Sequence, residues 1–260
     1  MLMRVLGCSG SDLPGHHLTS FLVNEHVLLD AGSVTSSLSL EEQAKITDIF
    51  VTHSHLDHIK DILFLADNLI EFFTDHQPPP VNIRGLPQVL EAIAAHLLND
   101  TIWPDFTAIP PHAPVLTYAP MPPGQAVSTG GLSLVNHPVN HAKHSAGYVI
   151  RGQGPDEGLA YSGDTGPTDD WWHYLANLPA KIPNYLTEAS FPNAMEEMAL
   201  RSKHLTPGLL RQDLEKLPYR PKVFIYHMKA PFTPRIQEEL HSALDGYHYH
   251  FLREGEVLKF

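Results

Sequence analysis

The chain has 260 residues, 43% hydrophobic and 18% charged, enough for one large domain or two small ones with a sizeable core. A formal net charge of −12 excludes a broad contact with a nucleic-acid backbone, which needs clustered Lys and Arg. It leaves room for a small anionic ligand, because a bound metal reverses the sign of a site locally.

Cys8 is the single cysteine, which excludes an internal disulfide and a thiolate zinc site and fits a reducing, cytoplasmic compartment. No run approaches the roughly 18 apolar residues of a membrane span. In chain order, strands are expected at 3–7, 20–24, 26–32 and 48–53. A helix should follow over about 59–73, where Ile59, Ile62, Leu63, Ala66, Leu69 and Phe73 keep helical spacing. A second, over 87–98, opens with Pro87 at a first-turn position that tolerates it.

The Pro- and aromatic-rich stretch 99–124 reads as turns and extended pieces. Strands return in "AVST", "LSLVNH", "GYVIRG" and "GLAYSG" between 126 and 163, then in "NYLTEAS" (184–190). Helices near 194–202 and after 206, the strand "KVFIYH" (222–227), a helix near 234–244 and strands "HYHFL" and "EVLKF" complete the chain. Two strand blocks, each followed by helices, imply an α/β domain of two packed sheets with helices outside, spanning 1–260 as a single unit. A doubly wound dinucleotide fold is disfavoured, because "GCSGSDLPG" (7–15) lacks the G-x-G-x-x-G spacing.

The chemistry concentrates in "VTHSHLDH" (51–58). In an extended run ending near Thr52, His53 and His55 point to one side. Asp57 and His58 then open the next helix, whose N-terminal field disfavours imidazolium and should keep His58 neutral. One loop can thus offer two ligands to each of two ions. The chain's 18 histidines exceed what surface decoration requires, and histidine is the commonest metal ligand.

"THSHLDH" resembles the H-x-H-x-D-H signature of the metallo-β-lactamase superfamily, and four further motifs, one before it and three after, stand in that superfamily's order. They are "LLDAG" with Asp30, "VNHAKHSAGYVI" (139–150), "YSGDTG" with Asp164, and "FIYHMK" with His227. The resemblance spans essentially the whole chain and implies the αββα sandwich with two divalent metal ions, most simply Zn²⁺, with Mn²⁺ or Fe open. It assigns His53, His55 and His141 to one ion, Asp57, His58 and His227 to the other, Asp164 to both, and Asp30 to support behind the ligands. His137 competes with His141 within the third motif, and only the spacing to Gly147 favours His141.

Paired metals about 3.5–4 Å apart activate a shared water and polarise a phosphoryl or carbonyl oxygen. The E-x-S-F and S-x-H-L-T-P elements within 188–207, with Leu56 between the ligands, resemble class II cyclic-nucleotide phosphodiesterases. That resemblance makes His204 the candidate proton donor to the leaving oxygen, with the helix cap as its bland alternative, and counts Asp57 beside it as catalytic. His144 is a possible substrate contact, and Trp103 and Phe106 a possible base-binding wall. The related transfer-RNA 3′-processing nucleases are the alternative, but only 39 residues separate Asp164 from His204, with no room for their substrate arm. A non-catalytic metal-binding protein is the alternative of another class. The partners implied are a small phosphodiester, no extended nucleic-acid surface, no membrane and a homodimer.

Overall fold

In β1 (Leu2–Gly7), β2 (Ser20–Val23) and β3 (Val27–Leu29), successive side chains leave opposite faces of the sheet, and both faces are covered. Met3, Val5, Phe21, Val23, Val27 and Leu29 enter one apolar layer, and Leu6, Leu22 and Leu28 enter another. The computed structural model describes residues 1–154 and 157–260.

A turn of helix, α1 (Leu40–Gln43), precedes β4 (Asp48–Phe50). Helix α2 (Leu56–His76) then crosses to β5 (Val81–Gly85), and α3 (Pro87–His96) to β6 (Leu116–Pro120). Strands β3 to β6 pair in parallel, as crossover helices require. The second sheet begins with the antiparallel run β7 (Ala126–Thr129), β8 (Leu132–Pro138), β9 (Ala146–Arg151) and β10 (Gly158–Tyr161). It continues in parallel through β11 (Asn184–Glu188), β12 (Lys222–Tyr226) and β13 (Tyr249–Phe251).

The crossovers carry α4 (Asp170–Ala176), α5 (Glu196–Ser202), α6 (Pro207–Leu214) and α7 (Thr233–Ala243). The closing strand β14 (Val257–Lys259) returns to pair with β1, so the sheets read β14-β1-β2-β3-β4-β5-β6 and β13-β12-β11-β10-β9-β8-β7. Three apolar layers result. Ile62, Leu65 and Leu69 of α2 pack on Ile49 and Ile83. Trp171, Leu210 and Ile236 of the later helices pack with Val223 and Ile225. Phe21, Phe50, Tyr148, Tyr161, Leu186 and Phe224 lie between the sheets. This is the αββα sandwich.

Several local expectations are corrected. Helix α2 starts at Leu56, earlier than Ile59, because His55 occupies its N-cap position without making a side-chain cap bond. Strand β4 ends at Phe50, before Thr52, and α3 stops at His96. The stretch 99–124 contributes the edge strand β6. Phe106 is buried in the first apolar layer, and the Trp103 ring lies 5.2 Å from that of Phe64, so neither is a free base-binding wall. Among the described residues, no helix is long and apolar enough to cross a membrane.

Candidate metal centre

The loops after β4, β10, β11 and β12 leave the C-terminal ends of parallel strands at one end of the sandwich, where open α/β sheets place their ligands. The loop before the antiparallel β9 reaches the same end. These loops bring His53, His55 and His141 into one donor group, and Asp57, His58, Asp164 and His227 into another. Within each group the donor atoms lie within 4.8 Å of one another, and His141, Asp164 and His204 form a third.

Hydrogen bonds behind the site fix which ring nitrogen faces it. His58 Nδ1–H donates to Asp30 Oδ2 at 2.7 Å, and His141 Nδ1–H to the Lys203 carbonyl at 2.7 Å. The Thr52 hydroxyl donates to Asp30 Oδ2 at 2.8 Å and so accepts from His53 Nδ1 at 2.9 Å. Thr19 Oγ1 holds His227 Nδ1 at 2.9 Å. On each of these rings Nδ1 is occupied and Nε2 faces the site. Asp30 also accepts Thr52 N–H at 2.8 Å and the Tyr161 hydroxyl at 2.6 Å, so its buried charge is fully paired.

Tyr161→Phe removes one donor from that buried carboxylate, at a cost of about 1–3 kcal/mol. The expected result is a Tm lower by about 2–4 °C for each kcal/mol lost in a chain of this size, read by thermal denaturation of metal-free protein.

The donor set fits cations. His53 Nε2, His58 Nε2 and Asp164 Oδ1 are buried without any hydrogen-bond partner, a rare state for buried polar atoms outside functional sites. His141 Nε2 and His55 Nδ1 stand 3.1 Å apart, as two lone pairs converging on one ion do. Asp164 Oδ2 lies 3.3 Å from His58 Nε2, 3.1 Å from His227 Nε2 and 4.0 Å from His141 Nε2, so one carboxylate touches both groups.

The electrostatics agree. Burial opposes charge on Asp164, but His227 and His58 outweigh it and hold the carboxyl well below its usual range. Burial, aided by His58, holds His53 well below the ordinary imidazole value, and burial brings His227 down to about 4. His58 departs from the sequence expectation: burial favours the neutral ring, but Asp164 and Asp30 overcome it and raise the value well above normal. The carboxylates, not the helix N-terminus, dominate there, and the site attracts positive charge.

Backbone geometry serves the same end. Asp30 (φ 55°) and His227 (φ 59°) both sit in the left-handed region, where a non-glycine residue stores about 1–3 kcal/mol of strain. Gly163 (φ 60°) makes the turn that aims Asp164, packed on the Thr52 side chain.

His137 lies outside the donor groups, stacked on Tyr174 with ring centroids 4.3 Å apart. His144 also lies outside them and lines a neighbouring cavity. The N-cap of α6 is Thr206, whose hydroxyl accepts from Leu209 N–H, so His204 is not the helix cap. Its Nδ1–H instead donates to Glu188 Oε1 at 2.7 Å, leaving Nε2 for the site, with its ring 4.7 Å from that of His141. Glu188 is fully buried and takes further bonds from Thr165 N–H, Leu205 N–H and the Ser190 hydroxyl. Sequence reasoning missed Glu188, Thr19 and Tyr161 as supports; only the "EAS" element hinted at the first.

The Beta-lactamase superfamily domain matches residues 26–228, the span that holds every donor described above. The chain belongs to the beta-lactamase superfamily. A 3′,5′-cyclic-nucleotide phosphodiesterase of Aliivibrio fischeri is 26% identical over 254 residues, covering 82% of this chain and 74% of that protein. Unliganded yeast PDE1 superposes with a TM-score of 0.80 at 19% identity, over 100% of this chain and 99% of that one. The short form of human tRNase Z gives 0.70 at 15% identity, over 100% and 99%. With its His and Asp donor groups, this superfamily member is a metal-dependent hydrolase.

Proposed function

We propose that the chain is a phosphodiesterase that opens the cyclic phosphate of 3′,5′-cyclic nucleotides to give 5′-nucleotides. The observation that carries this reading is His204, buried beside the donor groups and held by Glu188 with one nitrogen free. Hydrolysis of a phosphodiester needs a proton for the departing alkoxide, and this imidazole stands where it can give one. Relatives named 3′,5′-cyclic-nucleotide phosphodiesterases support the same substrate class.

In this reading His53, His55 and His141 would hold one divalent ion, Asp57, His58 and His227 would hold the second, and Asp164 would serve both. Bound ions supply an activated water and offset the phosphate's charge. Asp57, its side chain one-third exposed, stands at the open side of its group and orients the attacking water. His204 donates its Nε2 proton to the 3′-oxygen as the P–O3′ bond breaks, and Glu188 steadies the imidazolium state before transfer. Asp30 keeps His58 in the ligating tautomer. Zinc as the resident ion, a cytoplasmic site of action and a homodimer are further parts of the proposal.

A panel of bis-p-nitrophenyl phosphate, 3′,5′-cyclic AMP and GMP, precursor transfer RNA and a cephalosporin tests the reading. The two cyclic nucleotides and the model diester should be hydrolysed, with the RNA and lactam left intact. Cleavage of the RNA without cyclic-nucleotide turnover would replace this function with transfer-RNA processing.

A further inference from the structure

We propose that the cleft bounded by Gln88, Pro122, Pro123, Pro138, Lys143 and His144 is the nucleoside subsite, and that Gln88 reads the base. This rests on the phosphodiesterase reading above and specifies where its substrate lies.

The cleft has a volume of ≈ 380 Å³, within the roughly 300–1,000 Å³ of small-molecule sites. Four prolines with Leu86 and Val139 give it apolar walls that can pack against a base, and Gln88, Lys143, His144 and Ser145 supply polar groups. It is linked to the donor groups through the loop that carries His141, whose flanking residues Val139 and Lys143 line the cleft. Lys143 and His144 follow His141 by two and three residues, so their Cα atoms are within about 8 and 11 Å of its own. The same loop is tied to the connection between α5 and α6 that carries His204, through His141 Nδ1–H on the Lys203 carbonyl. The proposal places on this side the sugar joined to the oxygen that His204 protonates.

Charge favours the same cleft. Among the described residues no carboxylate lines it, although the chain carries a net charge of −12. A second cavity, of ≈ 620 Å³, lies beside the first turns of α2 and is lined by Asp12 and Asp61 together with His16, His17 and Lys60. Lys60 there is already paired with Asp12 at 2.7 Å. That cavity mixes carboxylates with cationic groups, whereas Lys143 in the proposed cleft faces a phosphate ester with no carboxylate beside it. Trp103 and Phe106, committed to packing, offer no competing base wall.

Gln88 is exposed on the first turn of α3. Its amide offers one acceptor and a donor pair, matching the N6–H donor and N7 acceptor of adenine. Guanine presents two acceptors, O6 and N7, on that edge and can satisfy only the amide's donor side. The cleft therefore prefers cyclic AMP to cyclic GMP.

Steady-state kinetics on the metal-loaded protein test this with Gln88→Trp, which fills the cleft, Gln88→Ala, which removes the reader, and Leu13→Trp, which fills the second cavity. Bis-p-nitrophenyl phosphate, which has no nucleoside, serves as the second substrate. Gln88→Ala should raise KM for cyclic AMP roughly 10-fold, with kcat retained and the AMP/GMP preference reduced. Gln88→Trp should remove most cyclic-nucleotide turnover while hydrolysis of the model diester persists, which also shows that the variant is folded. Leu13→Trp should change neither. Cyclic-AMP kinetics untouched by Gln88→Trp, or damaged only by Leu13→Trp, overturn the subsite. A wild-type protein that hydrolyses the model diester but neither cyclic nucleotide overturns the substrate reading beneath it instead.

Discussion

Asp164→Ala should lose metal from both donor groups at once and abolish phosphodiester hydrolysis. Its carboxylate is buried, lies 3.1 Å from His227 and 3.3 Å from His58, and reaches His141 at 4.0 Å. A ligand serving one ion would leave the other in place; a bridging ligand cannot. Metals contribute several kcal/mol of charge stabilisation at the reacting phosphate, so kcat should fall about 10³-fold or more. Metal analysis on purified variant and parent checks the first half, and turnover of bis-p-nitrophenyl phosphate the second. Retention of a full metal complement would show that Asp164 bridges nothing.

His204→Ala should behave differently, because in this account it moves a proton and holds no metal. Metal content should stay at the parent level while kcat on 3′,5′-cyclic AMP falls roughly 10²–10⁴-fold. With bis-p-nitrophenyl phosphate, whose leaving group needs little protonation, the loss should be far smaller. Glu188→Gln should give a milder version of the same pattern, since it leaves the ring in place but weakens the bond that fixes its tautomer. Equal losses on both substrates would assign His204 to holding the phosphate rather than to proton transfer.

The ligand loop was legible because its information is local. His53, His55, Asp57 and His58 fall in six consecutive positions, and a strand-to-helix turn is enough to make them converge. The supports were not, because they come from far along the chain. Tyr161 meets Asp30 across 131 positions and Thr19 meets His227 across 208. Nothing in a lone tyrosine or threonine signals such a partner.

The same contrast holds for the fold. The long apolar face of α2 announced a helix, but its first turn was hidden because His55 and Asp57 carry ligand chemistry instead of cap chemistry. Helix α4, with Trp171, Trp172 and Leu175 buried, is too short to display a period. Strands β5 and β6 are specified by pairing beside β4, and the prolines around β6 masked an edge strand that tolerates them. Helix α1 was missed despite a signal in plain view, the Ser39–Glu42 capping box.

The central claim is that a metal pair held by these side chains hydrolyses cyclic nucleotides. The most direct measurement is a titration of chelated protein with Zn²⁺ or Mn²⁺, following bound metal and cyclic-AMP hydrolysis in the same samples. The account predicts no turnover in metal-free protein and a rate that reaches its plateau as two ions bind per chain. Full activity without metal, or a plateau reached at a single ion, would contradict it.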